Sequence, residues 1–124
     1  MQRPNEEIQL LAEDFRRSRR TLLALGDENR QHLILTMMQM GRCGGVRVGE
    51  IAAHSHLSRP AVSHHLRILK EAGAVAVRRE GTRNYYYFDA GSGTLNALDD
   101  MLQHAHRLMQ YLAEQGAAAE PTER

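Results

Sequence analysis

Seven histidines and one cysteine are the side chains in this 124-residue chain best suited to holding a metal, and their spacing decides what they can do together. His54 and His56 are close enough to share an ion, but short pairs on turns are usually solvated. His104 and His106 differ by about 200° around a helix of about 3.6 residues per turn, so one ion does not readily take both. Asp100 and His104, four apart, share a helical face. No set of three or four ligands is complete within one chain, so no metal site and no cofactor is assigned. A complete site would have to borrow ligands from a partner subunit. Cys43 cannot form an internal disulfide, and a dithiol switch within one subunit needs a second cysteine. No nucleophile and base sit together on recognisable loops, so no enzyme is expected.

A second kind of chemistry, the grip of cations and hydroxyls on phosphates and base edges, is concentrated between Ser58 and Lys70. On a wheel of about 100° steps, Ala61, Val62, His65, Leu66, Ile68, Leu69 and Ala72 fall on one arc. Arg59, Pro60, Ser63, His64, Arg67, Lys70 and Glu71 fill the other. Such a helix suits the major groove, with Arg59, Ser63, His64 and Arg67 as readers and Arg matched to guanine O6 and N7. Ser58 is expected to cap it and to bind phosphate at its positive end, with Pro60 beside it. His65, on the apolar arc, reads as a hydrogen-bonded core imidazole. A preceding helix carries Val48, Ile51 and Ala52, with the turn at Leu57 and Ser58, so the pair reads as a helix-turn-helix.

The other elements must position this pair. Asn5 is a plausible cap for a first helix to about Leu25, with Glu6 and Glu7 in its first turn; Arg16, Arg17, Arg19 and Arg20 read as a solvated face. Asp27 caps a second helix ending at Gly41, in which Leu33, Ile34, Met37, Met38 and Met40 supply apolar surface. Val46 and Arg47 are candidates for a short strand. After Gly73, strands at Ala74–Arg79 and Asn84–Phe88 flank a turn at Glu80–Arg83 to make a hairpin wing. Its Arg78, Arg79, Thr82 and Arg83 are expected on phosphate or in the minor groove, and its tyrosines in packing. A last helix runs from near Thr94 to about Gln115. The seams Ile8, Leu11, Phe15 and Leu95, Leu98, Leu102, Ala105, Met109, Leu112 repeat at steps of three and four and are expected to form a two-fold dimer interface.

The run LSRPAVSHHLRILKEAGAV, preceded by ALGDENRQHLILTMM and followed by VRREGTRNYYYF, resembles the ArsR family of bacterial winged helix-turn-helix repressors over about Leu22 to Leu112. The resemblance implies a mainly α winged helix-turn-helix with a small β-hairpin wing, ordered α-α-α-α-β-β-α and dimeric through its first and last helices. It implies a homodimer on an inverted repeat in double-stranded DNA, and in many members release by an ion or small-molecule inducer. Metal-sensing members commonly carry Asp-x-His and a later His pair on the last helix, or Cys-x-Cys near the helix preceding the turn. Here Met101 and Leu102 follow Asp100, and Val46-Arg47-Val48 holds no cysteine. The alternatives are a metal-responsive repressor with an interfacial site at Asp100 and His104, and a winged-helix module that binds protein.

Composition sets the outer limits. The length suits a single domain over 1–115 with a disordered tail over 116–124. No apolar run approaches the ~18 residues a membrane span needs, and the N-terminus lacks a signal peptide's apolar core, which points to a cytoplasmic protein. The net charge of +1 hides an asymmetry: residues 47–88 hold seven basic and three acidic residues, residues 89–124 two and six. A basic middle is expected where one face meets phosphate, and it speaks against the protein-binding module.

Overall fold

The computed structural model describes residues 4–42, 44–89, 91 and 93–118. In chain order it contains α1 (Pro4–Leu25), α2 (Glu28–Met40), α3 (Val48–Ala53), α4 (Arg59–Glu71), β1 (Ala76–Glu80), β2 (Arg83–Tyr87) and α5 (Gly93–Ala118). These residues group into two compact units, the described parts of Met1–Ser18 with Asn96–Arg124, and Arg19–Leu95. Cys43 lies outside the described residues, as do residues 119–124 of the expected tail.

The Arg19–Leu95 unit is built on α4. Val62, Leu66 and Leu69 are wholly buried and meet Leu33 and Met37 of α2, Ile51 of α3, and Val46 and Val75 from the flanking segments. These are the apolar positions that a 3.6-residue period places on one face, so burial of that face fixes the rotation of α4. The ends are set locally. Asp27 accepts from the Arg30 N–H at 3.1 Å and starts α2, while Ser58 accepts from the Ala61 N–H at 3.3 Å and starts α4. The second half of α1 faces the core as expected: Ala24 is buried, and the Thr21 hydroxyl donates to the Ala72 carbonyl at 2.9 Å.

The hairpin pairs Ala76 with Tyr87 through to Glu80 with Arg83, so the turn is the two residues Gly81 and Thr82. Gly81, at φ +60°, takes the first central position, where tight hairpins favour glycine. This moves both strands from their expected bounds, β1 from Ala74–Arg79 and β2 from Asn84–Phe88. Val46 exchanges both backbone hydrogen bonds with Tyr86, at 2.9 and 2.8 Å, and so adds a one-residue bridge beside β2. The preceding Gly45 makes this possible: at φ +101° a side chain is strained, and a Cβ would lie 3.0 Å from the Tyr86 oxygen.

Three further expectations need correction. Helix α1 begins at Pro4, so Asn5 lies inside it and is not its cap; proline suits a first turn, where its missing N–H has no helical partner. Met38 is 58% exposed and is no part of the core, in contrast to Met37 and Met40. Helix α5 continues to Ala118, so Gly116–Ala118, expected in the tail, are helical.

In the other unit, Asp14 of α1 is buried and bonded to His104 of α5 and, at 3.0 Å, to Arg17. Burial alone would raise its carboxyl, but the bonds from His104 and Arg17 outweigh burial and hold it below the usual value. Met101 is buried as well. Of the expected seam residues, Ile8, Phe15, Leu102, Met109 and Leu112 are at least half exposed, and Leu11, Leu98 and Ala105 are half-buried. Leu95, which falls in the Arg19–Leu95 unit, is half exposed.

Candidate nucleic-acid interface

The exposed arc of α4 carries Arg59, Pro60, Ser63, His64, Arg67, Lys70 and Glu71, all open to solvent. Ser58 is also exposed; capping uses its oxygen as acceptor and leaves the hydroxyl proton to donate. Arg67 Nη2 lies 3.2 Å from His64 Nδ1, and because a guanidinium only donates, that nitrogen is the acceptor. The pair stands on the outer face one turn apart.

His65 faces the other way and is half-buried, with its Nδ1 3.3 Å from Arg30 Nη1. Burial lowers its pKa; Asp27 opposes that shift, and the charges of Arg30 and His64 add to it. Arg30 does more than meet His65. Its Nε donates to the Ala24 carbonyl at 2.7 Å and its Nη2 to the Leu23 carbonyl at 3.3 Å, both in the last turn of α1. One guanidinium therefore joins the end of α1, the start of α2 and the buried side of α4. Sequence reasoning passed over Arg30, since nothing local marks a bond between residues 30 and 65.

On the wing, Thr82 and Arg83 are exposed at the tip. Arg79 donates through Nε to the Gly81 carbonyl at 2.9 Å and curls over the turn. Arg78 is more firmly held: it donates to the Gly44 carbonyl at 2.8 Å, pairs with Glu80 at 2.7 Å and lies over the Tyr85 ring at 4.7 Å. It braces the base of the wing, where a phosphate would have to compete with three partners. Tyr86 packs on the core, as the packing reading of the tyrosines expects.

Between the wing and α3 lies a cleft of about 680 Å³, lined by Arg42, Arg47, Glu50, Arg59, Thr82 and Arg83 among others. Glu50 Oε1 accepts from the Arg47 N–H at 3.2 Å, which caps α3, and its second oxygen pairs with Arg42. The backbone N–H first, and Arg42 after it, keep the Glu50 carboxyl below its usual value. In the sequence Arg47 reads only as part of a short strand with Val46, whereas the bridge takes Val46 alone and Arg47 is the residue that precedes α3. Nothing in the sequence singles out Arg42, and neither arginine belongs to the amphipathic pattern of α4 or to the wing.

The candidate metal ligands do not converge. His104 is bonded to Asp14, ninety residues away, and not to Asp100, which is exposed. His54 sits 2.9 Å from the Glu50 carbonyl and His56 stacks against His32 at 4.6 Å. Among the described residues no three His, Cys, Asp or Glu side chains cluster to hold an ion. His104 is thus engaged by Asp14, not by the Asp100 with which the considered interfacial site pairs it.

A helix-turn-helix with a solvated basic arc, followed by a two-stranded wing, defines a winged helix-turn-helix DNA-binding regulator. The model for "Bacterial regulatory protein, arsR family" matches residues 31–77. An uncharacterized HTH-type transcriptional regulator of Methanocaldococcus jannaschii is 35% identical over a stretch covering 60% of this chain and 81% of that protein. The transcriptional repressor SdpR of Bacillus subtilis is 35% identical over 51% of this chain and 66% of its own length. Among solved structures, an ArsR-like regulator from Rhodococcus is similar in fold, with a TM-score of 0.67 at 22% identity, covering 87% of this chain and 97% of that one. A homodimeric winged helix-turn-helix DNA-binding domain from Mycobacterium bovis has a TM-score of 0.54 at 27% identity, covering 90% and 93%. The chain belongs to the arsR family of bacterial regulatory proteins, and it is a transcriptional regulator, not an enzyme.

Proposed function

We propose that this regulator is a repressor that binds an inverted repeat in double-stranded DNA as a homodimer. The division of α4 carries the reading: Val62, Leu66 and Leu69 are wholly buried, while Arg59, Ser63, His64 and Arg67 stand exposed on the opposite arc. A helix anchored by one face offers the other as a rigid surface, which groove readout requires. Ser58 and Pro60 enter with its N-terminus, and Arg79, Thr82 and Arg83 follow the backbone from the wing, with Arg78 as their brace. The repressor role is supported by the name of the B. subtilis relative, the dimer by the homodimeric M. bovis domain.

The dimer is formed by α1 and α5. In one unit Leu102 is 58% exposed, Met109 65% and Leu112 54%, Ile8 and Phe15 are half exposed, and Leu11, Leu98 and Ala105 are half-buried; Leu95, in the other unit, is also half exposed. Apolar surface of this extent on helices is what a two-fold interface buries. Half-sites about one turn apart, ~34–36 Å, follow for two such modules. No helix among the described residues is long and apolar enough to cross a membrane. The reading places the regulator in the cytoplasm, with a small molecule or an ion as its inducer. The test is a duplex-binding titration with DNA from beside the protein's own coding sequence. Arg59→Ala should lose affinity and keep its fold, and Leu102→Arg should sediment as a monomer and bind weakly. Unchanged binding by Arg59→Ala, or no salt dependence, sinks the reading.

A further inference from the structure

We infer that the cleft between the wing and α3 is a clamp for the DNA backbone, in which Arg42 and Arg47 join Arg59 and Arg83 on phosphate, and Glu50 sets the strength of the grip. The inference rests on the operator-binding reading and adds two arginines and one carboxylate to it.

Four arginines reach this cleft from four parts of the chain: the segment after α2, the residue before α3, the first residue of α4 and the first of β2. Their convergence is a product of the fold, because α3 and α4 are brought beside the hairpin by the shared core and by the Val46–Tyr86 bridge. Among the described residues, Arg47, Arg59 and Arg83 form no ion pair, and Arg42 pairs only with Glu50. Three uncompensated cations in one concavity repel one another and focus positive potential outward. A chain of phosphates relieves that repulsion better than a single small anion, because the cleft runs from Arg59, on the exposed arc of α4, to Thr82 and Arg83 at the wing tip. A backbone strand crossing from groove to wing passes over it.

Glu50 is the one acidic residue of this lining, and it is ionised at neutral pH. A phosphate that takes Arg42 must displace Glu50 from it, so the carboxylate opposes every duplex alike, whatever its sequence. Absolute affinity falls while preference is untouched.

The two side chains can be altered without disturbing the cap. Arg47→Ala retains the backbone N–H that Glu50 accepts, and Glu50→Gln retains an oxygen to accept it. Binding of the full chain to the operator and to an unrelated duplex is measured over a range of salt, with circular dichroism as the check on fold. Arg47→Ala should weaken both complexes alike and lower the salt slope by about one unit, so that the fall in affinity between ~50 and ~200 mM salt becomes about threefold smaller. Glu50→Gln should tighten both alike and steepen the slope. Wild-type affinity and slope in Arg47→Ala overturn the clamp. So does a changed preference between the duplexes, which would make Arg47 a reader of bases. Unchanged binding by Glu50→Gln removes the carboxylate's part. Failure of the wild type to bind any duplex overturns the operator reading itself, and is seen without either variant.

Discussion

Arg30→Ala should destabilise the Arg19–Leu95 unit, and the size of the effect follows from its bonds. The bond from Nε to the Ala24 carbonyl, at 2.7 Å, ends on a residue that is 1% exposed, so its removal leaves a buried acceptor without its charged donor. Hydrogen bonds from charged groups contribute ~1.5–3 kcal/mol. The contact with His65 at 3.3 Å is longer and adds ~1 kcal/mol. The bond to Leu23 is exposed and the Asp27 pair is 4.0 Å long, so both add little. The loss is therefore ~2–4 kcal/mol, or a fall in Tm of ~8–16 °C at ~4 °C per kcal/mol for a chain of this size. Thermal unfolding followed by circular dichroism at fixed protein concentration measures it. Arg30→Lys should recover less than half, since an ammonium lacks the planar fork that reaches two helices at once. An Arg30→Ala protein that melts within ~2 °C of wild type, or a lysine variant equal to wild type, refutes the account.

Leu69→Ala, at a site with no exposure, should cost ~2–5 kcal/mol in denaturant unfolding and leave the DNA-facing arc chemically unaltered. Arg83→Ala should weaken binding to all duplexes about equally and lower the salt slope by about one unit; a changed base preference would show that the wing reads sequence. The folded-state pKa of His65 is depressed, so its neutral form is favoured by folding: the stability it contributes is complete above the unfolded value of about 6.5 and is lost as pH falls through the folded value. His65→Gln should flatten that part of the stability–pH profile, and a profile identical to wild type would rule out the residue as its source.

The two arcs of α4 were legible because burial of a helix on one side writes a 3.6-residue period into the sequence, and Val62, Leu66 and Leu69 follow it. Capping at Asp27 and Ser58 was legible for the same local reason. The wing was found but displaced, because Thr82 and Arg83 look alike as turn residues and only the pairing of Glu80 with Arg83 separates strand from turn. Long-range partners were not legible. Spacing along α5 suggests Asp100 for His104, yet Asp14 on another helix takes it. The cleft shares this character: Arg42 and Arg47 acquire meaning only when α3 and the hairpin are side by side, an adjacency that no periodicity records.

The bridge between Val46 and Tyr86 bears on how this protein behaves in a crowded solution. A two-stranded hairpin is marginal alone and has two open edges on which a foreign strand can grow. Val46 occupies part of the β2 edge, with its hydrogen bonds returned by Tyr86. The β1 edge pairs with no further strand among the described residues, but it ends in Arg78, Arg79 and Glu80, all exposed, and solvated charged side chains discourage a second copy from pairing there. The arginines that suit the wing to a polyanion thus also guard it against self-association, and a neutralised wing would invite aggregation along β1.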